Sequence, residues 1–536
     1  MTMSSPLRDP DVLVIGAGFA GLKAIVSMRA SGHSVTALEA GDGVGGVWFW
    51  NRYPGARCDV ESYDYSYRFS EELEQEWRWS ERYATQPEIL SYINHVADRF
   101  DLRDDIIFNQ KMTDAVFNEA VKRWEVTTAD GSQFSGRYLI MATGSLSAAK
   151  DVLLPGQDEF AGEIYWSSRW PKEGVDLTAK RVGIIGTGSS GMQMVPVVAQ
   201  LCEHLTVFQR TPNYSIPAAN GPVSDEEDAA VKASYRSRRE AARNSPSGLN
   251  FLASGISALE VSDEEREAEF EKAWARYGFG FVLCFRDLIT DEKANTYASD
   301  FIRRKIGEQV SDPEVRRHIV PANFPFGTKR PSVDANYYPT FNRPNVTLAD
   351  LRDEPIDYLD KTGLATTSKH YDLDVLVFAT GFDALTGSFL KPNIFGRGGR
   401  ALRDHWANGP LTYLGLCSSG FPNMFIIAGP GSPSLLSNVM MSIEEGIDWL
   451  TEMIMFSESS GYAALEPTVD AETKWVQHVN EKADETLYPK VPSYYNGDNV
   501  PGKPRVFMPY TGGVRGYRRI LERVAANGYE GMVFSK

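Results

Sequence analysis

The chain is poor in cysteine: its 536 residues hold four, Cys58, Cys202, Cys284 and Cys417, and no two of them form a Cys-x-x-Cys pair. A dithiol redox centre therefore has no candidate. The seven histidines show neither His-x-His nor His-x-x-x-His spacing, so no ligand cluster stands out and no metal is expected. Positive charge is also in deficit, with 55 Lys and Arg against 71 Asp and Glu and a formal net charge of −16. That balance argues against nucleic acid or an anionic membrane as the main partner and speaks chiefly to solubility. No apolar run approaches the ~18 residues of a membrane span, and the segment from Met1 to Arg8 lacks a signal peptide's apolar stretch. A cytoplasmic monomer is the expectation. The length suits roughly three to four domains of ordinary size, and neither a low-complexity tail nor a 20–50-residue repeat interrupts it.

What is present is glycine in two ordered clusters. Gly16-Ala17-Gly18-Phe19-Ala20-Gly21 follows the apolar run Asp11 to Ile15, and Gly186-Thr187-Gly188-Ser189-Ser190-Gly191 follows Arg181 to Ile185. In a βαβ unit the first glycine permits the tight turn, the second lets backbone approach a diphosphate, and the third lets helix and strand pack closely. The diphosphate then sits on the helix N-terminus. The next strand should end at a residue that reads the ribose. Glu39 closes the run from Ser34, and Arg210 closes the run from Leu205. A carboxylate accepts hydrogen bonds from free ribose hydroxyls, whereas a guanidinium neutralises a 2′-phosphate. The first motif therefore reads as an FAD site and the second as an NADPH site, making the chain a flavin-dependent redox enzyme. One glycine motif alone carries little weight; two, each with a strand before it and a ribose reader after it, are hard to assign to packing.

The same apolar-strand-then-Ala-Thr-Gly pattern occurs twice, at Tyr138 to Gly144 and Leu373 to Gly381, which suggests a duplicated architecture. Ser224 and Ser262 each precede acidic residues and a helix-period stretch, as N-caps do. The expected fold is α/β: two Rossmann-like dinucleotide-binding domains, for FAD and NADP, with a helical insertion. Residues 1–150 and 385–536 are assigned to the FAD domain, 151–221 and 329–384 to the NADP domain, and 222–328 to the insertion.

Seven segments then carry a family resemblance. They are Gly45 to Trp48, Arg52 to Asp59, Gly327 to Arg330, Phe382 to Thr386, Phe421 to Asn423, Gly429 to Pro433 and Val500 to Met508. Together they resemble the type I Baeyer–Villiger monooxygenases, the class B flavoprotein monooxygenases, and most closely their phenylacetone- and then cyclohexanone-oxidising members. The resemblance covers essentially the whole chain. It implies that NADPH reduces FAD, that O₂ forms a C4a-peroxyflavin, and that this species converts ketones (aryl-alkyl, linear or cyclic) to esters or lactones, with sulfoxidation as a side activity.

Residue by residue, Arg330 matches the family's catalytic arginine and Asp59 the carboxylate that positions it; a guanidinium cannot lose its proton at working pH. Gly16, Gly18, Phe19, Gly21, Glu39, Gly46, Val47, Trp48, Phe49, Trp50, Arg57, Cys58, Asp59, Tyr65, Met112 and Val439 match positions around FAD. Thr187, Gly188, Ser189, Ser190, Gly191, Gln193, Arg210, Thr211, Lys329, Arg330 and Tyr494 match positions around NADP(H). The loop Ser434, Leu435, Leu436 resembles one that lines the substrate pocket of aryl-ketone members.

Two departures stand out. The family hallmark FxGxxxHxxxW(P/D) matches Phe160 to Pro171 except that Trp166 replaces the histidine, and tryptophan neither titrates nor accepts. Tyr494 stands where relatives carry tryptophan. The readings that compete are an N- or S-oxygenating flavin monooxygenase, a flavin disulfide reductase, which the missing Cys-x-x-Cys disfavours, and a nucleotide sensor without catalysis.

Overall fold

In the computed structural model, which describes residues 9–536 except Leu252 and Ala335, two parallel sheets organise the chain. The first runs in the order Met424–Ile426, Tyr138–Met141, Val12–Ile15, Val35–Leu38, Ile106–Ile107. The second runs Val346–Asp350, His204–Gln209, Arg181–Ile185, Val375–Phe378, Glu163–Trp166. The central strands are almost wholly apolar and buried, as strands covered on both faces must be. In both sheets the strand feeding a glycine motif lies between the strand that leads into Ala-Thr-Gly and the strand that leads into Glu39 or Arg210. The duplication read from the sequence is thus a duplication of strand order.

The backbone explains why Ala-Thr-Gly accompanies each glycine motif. Gly16 (φ 104°) and Gly186 (φ 113°) turn the chain through a conformation closed to other residues. A Cβ there would come within 2.7 Å of the Ala142 carbonyl oxygen or 2.5 Å of the Ala379 one. The Ala-Thr-Gly turn packs directly on the motif's first glycine. The third glycines, Gly21 and Gly191, pack in turn on the carbonyls of Gly16 and Gly186, with no room for a methyl group.

Between the sheets' halves come four helices, Asp225–Asn244, Asp263–Arg276, Glu292–Gly307 and Pro313–Ile319. Ser224 caps the first, and Ser262 forms a reciprocal capping box with Glu265 on the second, where the sequence places them. The helices do not form a body of their own. The first docks on the segment between the Val35–Leu38 and Ile106–Ile107 strands of the first sheet, where Tyr63 donates to Asp228 (2.8 Å) and Arg239 pairs with Glu74 (2.7 Å) while also donating to Ser66 Oγ (2.8 Å). The second and third bury Phe270 and Phe301 with Phe281 and Phe285 in the core of the second sheet. The chain then returns to the first sheet. The helix Val439–Ser459 packs along Phe19–Ala30 and is tied to it by Lys23 and Asp448 at 2.6 Å.

All four cysteines are buried and unpaired. Burial pushes the Cys202 thiol up to about 11 and the Cys284 thiol up to about 12. No helix among the described residues is long and apolar enough to cross a membrane.

The Arg239–Glu74 pair, with side chains 10% and 8% exposed, is the tie on which the Asp225–Asn244 helix depends. Arg239→Leu leaves Glu74 buried without its partner and should lower stability by about 3 kcal/mol. Denaturant unfolding monitored by tryptophan fluorescence measures it, and a loss below about 0.5 kcal/mol would show that the pair is not holding the helix.

Candidate active site

The first nucleotide cleft opens where the Val12–Ile15 strand turns into the Phe19–Ala30 helix. Gly18 caps that helix without any side-chain hydrogen bond, so its first-turn N–H groups face outward, available to a phosphate. Glu39 is 4% exposed. Its carboxylate accepts from the backbone N–H of Ala17 (2.7 Å) and of Gly41 (2.8 Å), and no cation pairs with it among the described residues. Burial raises its pKa, against the pull of those N–H groups. Each carboxylate oxygen keeps a lone pair for a ribose hydroxyl, which fits the adenosine end of FAD.

Around this cleft the expected residues divide. Phe19 meets Tyr65 edge-on at 5.2 Å, and Tyr65 accepts from Trp48 Nε1 (3.1 Å). Trp48 and Phe49 are buried, while Val47 and Trp50 on the same short helix stand 37% and 40% exposed. Gly46 lies against Gly18, where a Cβ would be 3.2 Å from its Cα. Met112 is buried in a core cluster with Trp124, and Val439 is half-buried behind the Asn438 cap. Arg57 is turned to Glu81 (3.1 Å) and the Tyr83 carbonyl (3.2 Å), and the Cys58 thiol is buried.

The second cleft repeats the first with open space. A Cβ on Gly188 would touch nothing within 4 Å, and the Ser189–Leu201 helix again lacks a side-chain cap. Gly191 is packed, whereas Ser189 is exposed and Ser190 half-buried. Thr187 donates to the Thr211 carbonyl (2.8 Å), joining the motif loop to the ribose reader. Arg210 is exposed. Lys329 is half-buried, over the Phe324 ring at 4.5 Å, and its pKa is lowered by burial and then by Arg210's charge. Two adjacent cations that repel each other fit a 2′-phosphate. Gln193 takes a different part: it accepts from Tyr53 (2.8 Å) and donates to the Arg57 carbonyl (3.0 Å), tying this helix to the Arg52–Asp59 loop. Trp166 ends an edge strand of the second sheet, stacked on Phe378 at 5.5 Å and under Arg169, its Nε1 buried with no partner.

At the junction of these clefts Arg330 meets Asp59 through a two-pronged pair, Nε to Oδ2 at 2.7 Å and Nη2 to Oδ1 at 2.9 Å. A third bond runs from Nη1 to the Leu435 carbonyl (2.8 Å), and the guanidinium lies over Phe279 at 4.5 Å. Burial favours losing the proton, but Asp59's charge and hydrogen bonds outweigh it, and the pKa of Arg330 rises above its ordinary value. Of five N–H donors three are engaged; one on each terminal nitrogen remains. Leu435 holds a left-handed conformation (φ 69°) that leucine avoids, which brings its carbonyl to Arg330. Tyr494 and Tyr495 sit beside the guanidinium, ring centres 4.4 Å apart.

Arg330 forms one wall of a cavity of about 380 Å³. Leu435 and Leu436 line it, whereas Ser434 is fully buried outside the lining with an unpartnered hydroxyl. Phe279, Phe285, Ile289 and Tyr488 also line it, and sequence reasoning missed them. The Gly278-Phe279-Gly280-Phe281 run was the available signal: aromatics between glycines inside a helical stretch.

A family model for pyridine nucleotide-disulphide oxidoreductases matches residues 10–234. A Baeyer–Villiger monooxygenase of Pseudooceanicola batsensis is 43% identical over 98% of this chain and 96% of its own length. A phenazine N-monooxygenase of Lysobacter antibioticus is 42% identical over 98% and 96%. Among solved structures, an oxidised steroid monooxygenase bound to NADP matches with a TM-score of 0.95 and 50% identity, over 98% of this chain and 100% of that one.

Glu39 gives a test of the first cleft. Its folded pKa lies above the ordinary 4.5, so the folded chain prefers the protonated form and stability falls as pH rises from 4.5 through the raised value. In FAD-free protein this fall should be present in the wild type and missing in Glu39→Gln, read as the difference between their melting temperatures across pH. The same variant should retain FAD about tenfold less tightly; unchanged FAD affinity would remove Glu39 from the site.

Proposed function

Because the chain belongs to the FAD-containing, NADPH-dependent Baeyer–Villiger monooxygenases, we propose that it inserts one atom of O₂ beside the carbonyl of an apolar ketone, forming an ester or, from a ring, a lactone. The observation that carries this reading is the Arg330–Asp59 fork at the wall of an apolar cavity. FAD, when bound, supplies the centre that NADPH reduces and O₂ reoxidises.

The remaining work falls to side chains of this chain. Arg330 keeps a fixed positive charge and two unused N–H donors where negative charge develops on oxygen. Asp59 holds the guanidinium in one orientation and leaves only its terminal N–H groups to the cavity. Phe279, Leu435, Leu436 and Tyr488 exclude water and accept the ketone's apolar body. Glu39 takes the ribose of FAD, and Arg210, Thr211 and Lys329 take the 2′-phosphate that distinguishes NADPH from NADH. Residues 1–150 and 385–536 form the FAD domain in this reading, 151–221 and 329–384 the NADP domain, and 222–328 the helical insertion. Sulfides are further substrates, and the chain works as a cytoplasmic monomer without nucleic acid or membrane.

A second reading is favoured by the 42% identity to a phenazine N-monooxygenase: oxygen transfer to a heteroaromatic nitrogen. The two differ in what they ask of Arg330. Attack on a carbonyl needs a cation for the oxygen that becomes negative; transfer to a nitrogen lone pair does not.

Arg330→Ala should still bind FAD and consume NADPH, while ester formation from a panel of aryl-alkyl and cyclic ketones falls about 10²- to 10³-fold. Product analysis by gas chromatography reads this directly. Ester formation at the parent rate would sink the assignment, and N-oxide from phenazine without any ester would establish the second reading in its place.

A further inference from the structure

The clefts contain one more cation than the sequence motifs assign. Lys150 lies in the loop after Ala142-Thr143-Gly144, and its backbone docks on the second sheet: Ala149 bridges to Phe382, and the Lys150 N–H donates to the Gly381 carbonyl (3.4 Å). That places it at the carboxyl end of the Val375–Phe378 strand, while Arg210 follows the carboxyl end of His204–Gln209. One strand, Arg181–Ile185, separates the two. Two strand ends so separated lie about 10 Å apart, a gap that lysine and arginine side chains span from opposite sides, directly over the crevice in which such sheets bind nucleotides.

We propose that Lys150 is a third ligand of the NADPH 2′-phosphate, opposite Arg210 and Lys329, and thereby determines the preference for NADPH over NADH. The inference rests on the nucleotide assignment of the second cleft given above.

The side chain's own surroundings support it. Lys150 Nζ donates over 3.4 Å to the Asn499 carbonyl and forms no salt bridge among the described residues. The nearby carboxylate, Asp383, is taken by Lys503 at 2.6 Å. Asn499 is fixed in turn by its Nδ2 donating to the Phe382 carbonyl (2.7 Å), so the acceptor that steadies Lys150 belongs to the same strand end. Burial lowers the pKa of Lys150, and Arg210's charge lowers it further; the same two causes, in the same order, act on Lys329. Arg210 thus stands within the field of two lysines. The carboxylates that offset part of this repulsion, Asp383 beside Lys150 and Asp498 beside Lys329, are themselves paired with Lys503 and Arg505, and a doubly charged phosphate turns the remaining repulsion into attraction. The diphosphate has its own receptor, the uncapped start of the Ser189–Leu201 helix, and needs no further lysine.

The test is calorimetric titration of the FAD-loaded enzyme with NADP⁺ and NAD⁺, which differ only by the 2′-phosphate. Lys150→Gln should weaken NADP⁺ about tenfold, leave NAD⁺ within about twofold, and narrow the ratio of KM values for NADH and NADPH. Lys150→Arg, which keeps the charge and the fold, should retain most of the NADP⁺ affinity. Arg210→Ala is run beside them. If Arg210→Ala discriminates between the two nucleotides and Lys150→Gln does not, the role of Lys150 is overturned while the cleft assignment stands. Equal weakening of both nucleotides by Lys150→Gln also overturns it, placing the lysine on the diphosphate or the loop. Indifference of both variants overturns the cleft assignment itself.

Discussion

The fork between Arg330 and Asp59 joins residues 271 positions apart and fixes three stretches of chain at once: the Arg52–Asp59 loop, the segment leading into the Ser332–Asp334 strand, and the Leu435 loop. Both side chains are only half-buried, 21% and 23% exposed, but removing either partner would leave the other charge partly desolvated and unpaired, at a cost in stability. Each residue is therefore the condition for the other, and the wall of the cavity exists because both are present. The strained backbone at Leu435 belongs to the same arrangement. A non-glycine residue in the left-handed region costs of order 1–2 kcal/mol, and here its carbonyl caps the third prong of the guanidinium.

The two nucleotide clefts were legible because their signals are local. A glycine forced to φ above 100° and another packed on a carbonyl leave no alternative residue, so the spacing survives in the sequence. The matching strand order follows from the same runs, since Val12–Ile15 and Arg181–Ile185 can only be buried central strands. Glu39 and Arg210 were readable as the residues closing the next apolar runs, each one position past its strand's end at Leu38 or Gln209. The helix starts at Ser224 and Ser262 were readable as caps for the same reason: a side chain answering to a backbone group three residues away.

What stayed hidden depends on contacts between distant segments. Lys150 is one lysine in a loop, without period or motif, and only the docking of that loop against Gly381 gives it a neighbour in Arg210. Gln193 sits where a nucleotide contact is expected, yet its amide bridges Tyr53 and Arg57 across to the other cleft. Ser434 falls behind the cavity wall because the Leu435 turn points its neighbours inward and the hydroxyl away. The aromatic lining joins Phe279 and Phe285, from the stretch whose helices were predictable but whose docking was not, to Tyr488, about 200 positions later in the chain.

The burial of the four cysteines has a consequence for durability. An enzyme that handles activated oxygen sheds some of it as hydrogen peroxide, and the species peroxide damages fastest is an accessible thiolate. Cys58, next in the chain to Asp59 of the fork, is the thiol most at risk, yet burial and then the charge of Asp59 keep its proton on. With its three fellows equally shut away, the polypeptide offers its by-product no easy sulfur to corrode, and wear should fall first on surface methionines such as Met455.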